Sequence, residues 1–267
     1  METLKPGLCF GSPRRKSPTP SIHSKAPKIL LHAANNPEED LEKARSQGAD
    51  GVEFDVGKDG FLRHNAGDAN TNKFQNALDT FAGEENFILM PELKKECQNE
   101  LIPGWVKAVK AKQEFKTGNL KDRLTFISFY PDKLYEVEKA DKSMRRGSNI
   151  LSSDSPYYPE KEEPTKKWVD IITGNKPLTS AMKDIASSLH IKKIVKKVHL
   201  FLSSFVDAER YSEAVQKQGL EHGAYVTQQT SQNEEETLRK LKASGIPLDY
   251  IITDNVPLAK SIFGKAS

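Results

Sequence analysis

Short apolar runs and longer amphipathic stretches alternate along most of the chain. The runs predict eight strands, at residues 29–32, 51–56, 87–93, 124–129, 149–151, 198–202, 223–227 and 250–253. Helical patterns between and after them cover residues 37–47, 74–81, 105–115, 133–139, 208–218, 234–243 and 257–263. Strict alternation favours a parallel sheet, and eight repeats in about 240 residues favour an α/β fold of the (β/α)8 TIM-barrel type. No G-x-G-x-x-G follows the first strand, which argues against a dinucleotide-binding fold.

Two segments lie outside this rhythm. Residues 1–27 carry a charge of +4 with five prolines, and they predict a flexible Pro/Ser-rich leader. Residues 152–197 are the hardest to place, with helical patterns at 165–172 and 178–189. We expect residues 28–267 to form a single catalytic barrel domain. Without the apolar core of a secretory signal, the expected location is the cytoplasm.

Composition narrows the function classes. With 40 basic and 37 acidic residues, the formal charge of +3 gives no sign of a nucleic-acid-binding protein. No apolar stretch approaches the roughly 20 residues of a transmembrane segment. Cys9 and Cys97 are the only cysteines, so a thiolate zinc site and a multi-disulfide framework are excluded.

Polar residues collect at the ends of the first three predicted strands, where a parallel barrel places its active site. They are His32, Glu53, Asp55, His64, Glu92 and Lys94. Glu53 and Asp55 share one face of their strand, and burying two like charges costs several kcal/mol without a counter-ion. A divalent cation resolves this conflict, and oxygen ligands favour Mg²⁺, with Ca²⁺ possible. A cation, a lysine and two histidines suit phosphodiester cleavage.

The order of these motifs resembles the glycerophosphodiester phosphodiesterase superfamily, a group of PLC-like phosphodiesterases. The segment 48–56, GADGVEFDV, is followed by Lys58-Asp59-Gly60 and then His64. Pro91-Glu92-Leu93-Lys94 is similar to the E-x-K element of that superfamily. Segments 124–129 and 248–254 are similar to its fourth and closing strands, so the resemblance spans residues 28 to 263.

The resemblance implies a role for each matching residue. His32 and His64 match the acid/base pair, and Glu53, Asp55 and Glu92 match the Mg²⁺ ligands. Lys94 matches the lysine that contacts the phosphate. We also expect Asn35 and Ser128, which lie in matching segments, to contact the substrate. The implied activity is a Mg²⁺-dependent phosphodiesterase or phosphotransferase, acting on a small glycerophosphodiester, lysophospholipid or sugar phosphodiester.

Several positions depart from the superfamily pattern. Ala33 stands where an arginine is usual, and Asn65 follows His64 in place of aspartate. The interval of 28 residues between His64 and Glu92 leaves no room for the usual inserted subdomain, which predicts a short branch. The segment His32 to Asn35 is similar to the H-x-x-N of the sphingomyelinase D/phospholipase D branch. Val226 replaces a tryptophan, which predicts the loss of an aromatic pocket wall.

Three alternatives follow from these departures. The agrocinopine synthases, which form sugar phosphodiesters, resemble the same branch and lack a secretory signal. A catalytically inactive barrel that binds a phosphorylated ligand fits the missing arginine and tryptophan. A lipid-surface protein that uses the basic leader is the third, since each basic residue near a membrane contributes about 1 kcal/mol of attraction.

Overall fold

The eight predicted strands form a closed parallel barrel. The computed structural model describes residues 26–64, 67–150, 198–204, 208, 212, 215–216, 219–227 and 233–264. Each strand pairs with its neighbours in chain order, and β1 also pairs with β8 over four residues. The strands are β1 Lys28–Leu31, β2 Gly51–Val56, β3 Ile88–Leu93, β4 Thr125–Ser128, β5 Arg145–Ile150, β6 Leu200–Ser204, β7 Glu221–Val226 and β8 Tyr250–Thr253. The predicted TIM-barrel fold is therefore confirmed.

In the described ranges, helices follow β1 to β4, β7 and β8. They are α1 Pro37–Ser46, α2 Phe74–Phe81, α3 Ile102–Ala111, α4 Gln113–Lys116, α5 Asn119–Arg123, α6 Pro131–Ala140, α7 Glu234–Ala243 and α8 Val256–Phe263. Short 3₁₀ turns lie at Lys58–Gly60 and Asn99–Leu101. Acidic residues in the first turns of α1 and α7, and basic residues in their last turns, oppose the helix dipoles.

The structure corrects several predicted boundaries. Strand β5 begins at Arg145, four residues before the prediction, because two arginines hid the strand pattern. The Arg145 side chain is bound by Glu221, and the Arg146 side chain is buried. The helix predicted at 105–115 is two helices, since the backbone is extended at Lys112. In the predicted helix 208–218, the described residues 208, 212, 215 and 216 are helical.

Alternate residues of each strand divide the core into two layers, as strand geometry requires. A small cluster fills the barrel interior, with Leu30, Met90, Ile127, Leu200, Leu202, Tyr225 and Ile252. The larger cluster lies between the sheet and the helices, where Phe54 contacts the rings of Phe74 and Phe81. In β2, the outward Val52, Phe54 and Val56 pack in this outer layer. The opposite phase of β2 therefore directs its acidic side chains inward.

Close approach of two strands explains Gly51. A Cβ atom at this position would lie 2.2 Å from the carbonyl oxygen of Ile88 in β3. Such a contact requires a backbone shift, so the glycine permits the register that aligns Asp55 with Glu92. Gly51, at the start of β2, thus helps to set the positions of the acidic residues toward the end of that strand.

Other predictions fall on residues that lie outside the description. These include nearly all of the leader and both helices predicted within 152–197. Among the described residues, no helix is both long enough and apolar enough to cross a membrane.

Candidate active site

Three buried carboxylates meet at the carboxyl end of the barrel. Glu53 and Asp55 come from β2, and Glu92 comes from β3 beside them. Their side chains are almost wholly buried, and one oxygen of each lies within 4.8 Å of the others. The structure thus brings together the three acids that the sequence predicts as ligands. Three anionic groups at this spacing need positive charge between or beside them.

Lys94 supplies part of that charge. Its Nζ lies 2.7 Å from Asp55 Oδ1 and 2.8 Å from Glu92 Oε1. Burial alone would lower the pKa of Lys94, but the charges of Glu92, Asp55 and Glu53 raise it above its usual range. Burial would raise the pKa of Asp55, but Lys94 and the hydrogen bond from His64 lower it well below normal. Lys94, the residue predicted to contact the phosphate, therefore bridges Asp55 and Glu92 in this structure.

Glu53 remains the least neutralised of the acids. Burial and the charge of Asp55 raise the pKa of Glu53 to about 8. Its Oε2 accepts a hydrogen bond of 2.9 Å from the backbone N–H of Ala33. Its Oε1 is buried and has no hydrogen-bond partner among the described residues. One anionic oxygen is therefore left for a cation or a proton.

Ala33, which stands where an arginine is usual, contacts the acidic group through its backbone. Ala33 adopts a left-handed conformation with φ of 52°, which turns its N–H toward Glu53. The next N–H, that of Ala34, donates to the carbonyl oxygen of Glu53 at 2.8 Å. The loop after β1 therefore binds Glu53 through its backbone, and it contributes no cationic side chain at position 33.

A carboxylate orients the first histidine. The Nδ1 atom of His32, at the end of β1, lies 2.8 Å from Asp254 Oδ1, just after β8. An ionised carboxylate only accepts hydrogen bonds, so Nδ1 carries the proton. Nε2 then faces the acids, 3.9 Å from Glu53 Oε2. Burial would lower the pKa of His32, but the bond to Asp254 and the charge of Glu53 raise it to about 9.

The second histidine is held in the same manner. His64 Nδ1 lies 3.2 Å from Asp55 Oδ2, which leaves its Nε2 away from that carboxylate. The rings of His64 and His32 are 5.9 Å apart and nearly perpendicular. Two imidazoles, each oriented by a carboxylate, therefore lie side by side next to the acidic group.

The two predicted substrate contacts, Asn35 and Ser128, differ in their position relative to the acids. Asn35 directs its amide to Asp55 through two hydrogen bonds, of 2.8 and 2.9 Å. Ser128 is buried on the face of β4 shared with Phe126, in the outer layer. Its hydroxyl donates to the Leu93 carbonyl at 2.6 Å and accepts from the Tyr130 N–H at 3.0 Å. The structure brings Asn35 into the site and leaves Ser128 outside it.

Three site residues were missed at the sequence level. Asp254 follows β8, and Asn149 Nδ2 and Tyr225 OH donate to Glu92 Oε2 at 3.2 and 3.5 Å. All three share the inward phase of their strands, which the sequence pattern could have supplied once each strand was placed. For Asn149, the predicted strand began at this residue and was too short to show which of its residues face inward.

Val226, where the sequence predicts the loss of an aromatic wall, lies next to an aromatic residue of the barrel interior. Val226 packs in the outer layer, whereas its neighbour Tyr225 faces the barrel interior. The ring of Tyr225 stacks against that of Phe129 with centroids 6.4 Å apart. Tyr225 and Phe129 thus supply aromatic rings on the inner side of the barrel, and the loss of a pocket wall at Val226 stays a prediction.

The acidic group fits a hard divalent cation. Its donors are carboxylate oxygens, its spacing is short, and Glu53 Oε1 has no other partner in the described ranges. Oxygen-only donor sets suit Mg²⁺ or Ca²⁺ better than zinc. The residues that would hold the ion are Glu53, Asp55 and Glu92.

Known proteins share the fold but little sequence. No protein-family profile matches the chain, and no curated protein matches it in sequence. A candidate glycerophosphoryl diester phosphodiesterase from Silicibacter pomeroyi DSS-3 superimposes with a TM-score of 0.59 at 17% identity, covering 90% of this chain and 94% of that one. A glycerophosphodiester phosphodiesterase from Agrobacterium tumefaciens C58 gives 0.54 at 17% identity, covering 88% and 98%.

A third solved structure holds a product. It is an Oleispira antarctica phosphodiesterase in complex with sn-glycerol-3-phosphate, with a TM-score of 0.52, 17% identity and coverage of 89% and 96%. The fold of this chain is thus the barrel seen in glycerophosphodiester phosphodiesterases, which confirms the resemblance in the sequence at the level of fold.

Proposed function

We propose that this protein is a metal-dependent phosphodiesterase that acts on a small phosphodiester. The observation that carries the proposal is the meeting of three buried carboxylates with two histidines, of which His64 is oriented by Asp55 and His32 by Asp254. The fold shared with glycerophosphodiester phosphodiesterases supports it. Glycerol-3-phosphate in the Oleispira structure makes a glycerophosphodiester the first substrate to test.

Each group in the site has a defined task in this reaction. Glu53, Asp55 and Glu92 would hold Mg²⁺, or Ca²⁺, which when bound neutralises charge on the phosphoryl oxygens. Lys94, which bridges Asp55 and Glu92, would place a second positive charge near the phosphoryl group. The backbone of Ala33 fixes the direction of the Glu53 carboxylate.

The histidines would move the protons. Each holds a proton on Nδ1 toward its carboxylate and presents Nε2 for exchange with the substrate. One would take a proton from the attacking hydroxyl, and the other would give a proton to the leaving alcohol. In this scheme Asp254 and Asp55 position the rings, and Asp254 stabilises the charged form of His32.

The identity of the attacking hydroxyl separates the finer alternatives. Water gives hydrolysis, a hydroxyl of the substrate gives a cyclic phosphate, and a sugar hydroxyl gives the transfer reaction of agrocinopine synthases. The small-substrate reading is supported by the enclosed, polar surroundings of the acids. The phosphorus-containing product of the reaction distinguishes these three acceptors.

Phosphorus NMR tests the proposal directly. The protein would be incubated with glycerophosphocholine, a lysophospholipid or a sugar phosphodiester, with Mg²⁺, with Ca²⁺, or with excess EDTA. We expect metal-dependent loss of at least one diester signal, with the new signals identifying a monoester, a cyclic phosphate or a new diester. Metal binding without turnover of any diester would support the inactive barrel instead. The Glu53→Gln variant is the matched control, because it keeps the side-chain shape and removes one charge.

A further inference from the structure

The side-chain amide of Asn35 makes two hydrogen bonds, and both go to Asp55. Nδ2 donates to Asp55 Oδ2 at 2.8 Å, and Oδ1 accepts from the backbone N–H of Asp55 at 2.9 Å. We propose that Asn35 is a positioning residue that fixes the Asp55 carboxylate for metal binding, and that it makes no contact with substrate. This inference rests on the proposed function, because it assigns a task to one residue of the same site.

The two bonds fix the orientation of the amide. A carboxylate only accepts and a backbone N–H only donates, so turning the amide over would create two repulsive contacts. The side chain of Asn35 therefore binds both the backbone and the side chain of Asp55. A pair of bonds of this kind holds both the position and the rotation of the Asp55 carboxylate.

Asn35 is itself supported from behind. Its carbonyl oxygen accepts from Asn70 Nδ2 at 2.6 Å, and its N–H donates to the Ala33 carbonyl at 2.8 Å. Asn70 lies on the loop after β2, the loop that also carries His64. Two loops, those after β1 and β2, therefore support the hydrogen bonds to the Asp55 carboxylate.

Asn35 opposes the effect of Lys94. Lys94 holds Asp55 Oδ1 and Glu92 Oε1 together as an ion pair, whereas Asn35 and His64 bind the other oxygen, Asp55 Oδ2. Without Asn35, only the longer contact with His64 holds Oδ2, and the carboxylate of Asp55 can rotate further toward the ammonium. The expected result is a tighter internal ion pair and a weaker site for a divalent cation.

Metal affinity is the decisive measurement. Mn²⁺ serves as an EPR-visible probe for the full-length wild type, Asn35→Ala and the control Asn36→Ala. The side chain of Asn36 makes no capping bond at the start of α1, so its loss leaves Asp55 undisturbed. We expect Asn35→Ala to bind Mn²⁺ about 10- to 100-fold more weakly, the usual scale for residues that orient metal ligands. Asn36→Ala should bind as the wild type does.

Kinetics separate positioning from substrate contact. At saturating metal, Asn35→Ala should keep the wild-type KM for the phosphodiester and lose kcat. A raised KM with unchanged Mn²⁺ affinity would identify Asn35 as a substrate contact and overturn the inference. Asn35→Ser, which keeps a polar group but cannot span both bonds, gives a second test if the alanine variant melts early. It should also bind Mn²⁺ more weakly, and wild-type affinity in Asn35→Ser would overturn the inference as well.

The wild type keeps the two proposals distinct. If the wild type binds no divalent metal, the proposed function fails, and the inference that depends on it fails too. If the wild type binds metal and turns over a diester while Asn35→Ala matches it in Mn²⁺ affinity, only the inference about Asn35 fails.

Discussion

The two ends of the barrel differ in how their charged side chains are balanced. At the amino end, Arg145 of β5 binds Glu221 of β7, which also accepts from Tyr250. Asp50 in turn lies between Lys28 and Lys260. At the carboxyl end, by contrast, three carboxylates surround Lys94. Both ends use long-range contacts between strands, yet only one has its charges matched by neighbours of opposite sign.

This difference separates a structural arrangement from a functional one. Opposite charges in contact satisfy each other, so the amino end has no need of a ligand. The carboxyl end holds an anionic surplus; burial and the charge of Asp55 raise the pKa of Glu53, and the bond to Asp254 and the charge of Glu53 raise that of His32. Such a surplus costs stability, and a bound cation would offset that cost.

The largest expected effect comes from removing one acid of the surplus. Glu53→Gln should lower turnover by about 10³-fold, since it removes a ligand of the metal that stabilises the transition state. Its free energy of unfolding without metal should not fall, because a like-charge repulsion is removed. Steady-state kinetics and urea unfolding measure the two quantities. Marked destabilisation of the metal-free variant would contradict the account of a repulsive cluster.

The histidines should show the next effect in size. His32→Ala or His64→Ala should lower turnover by about 10²-fold or more, the scale of general acid–base catalysis, with metal affinity largely kept. Rates at saturating metal, together with Mn²⁺ binding, check both parts. His199→Ala is the control, because His199 contacts the backbone of Arg146 and lies apart from the acids. Full activity in either of the first two variants would end the acid/base assignment.

Loss of a charge behind His32 should have a smaller effect. Asp254→Asn keeps an acceptor for Nδ1 but removes the negative charge, and we expect a decrease in kcat of about 10-fold. The pKa of His32 should fall, because Asp254 contributes to its rise. NMR titration of the ring measures this directly. An unshifted His32 would show that the other acids alone set its protonation.

The smallest effect on activity should follow a change at the opposite end. Glu221→Gln breaks the contact with Arg145, and since both side chains are partly exposed the cost is about 1 kcal/mol of stability. Turnover should stay at the wild-type value. Urea unfolding and kinetics on the same preparation test this, and a substantial loss of activity would mean that the two ends are coupled.

Much of the barrel was accessible from the sequence. The helices at Phe74–Phe81 and Glu234–Ala243 and the strand Tyr250–Thr253 lie where the pattern predicts them. Their apolar periodicity is strong, and turn residues bound them clearly. Strand β5 was less accessible, because its arginines look like a surface segment until Glu221 is known to lie beside them. Tertiary partners, absent from any local pattern, decide such cases.

The candidate site was accessible in part for the same reason. Glu53 and Asp55 share a strand, so their common direction follows from periodicity alone. The carboxylate behind His32 comes from the other end of the chain, and local spacing cannot reveal such a pair. The interactions of Asn35 depend on a loop conformation around Ala33, which a sequence motif does not specify.

The contact between His32 and Asp254 joins residues that are 222 positions apart. A chain interrupted before β8 would contain all three acids and both histidines, yet its first imidazole would lack the group that orients it. Competence for catalysis would therefore arrive only when the final strand docks beside the first during biosynthesis. We therefore expect chains that terminate before β8 to lack activity even when the metal and the phosphodiester are supplied.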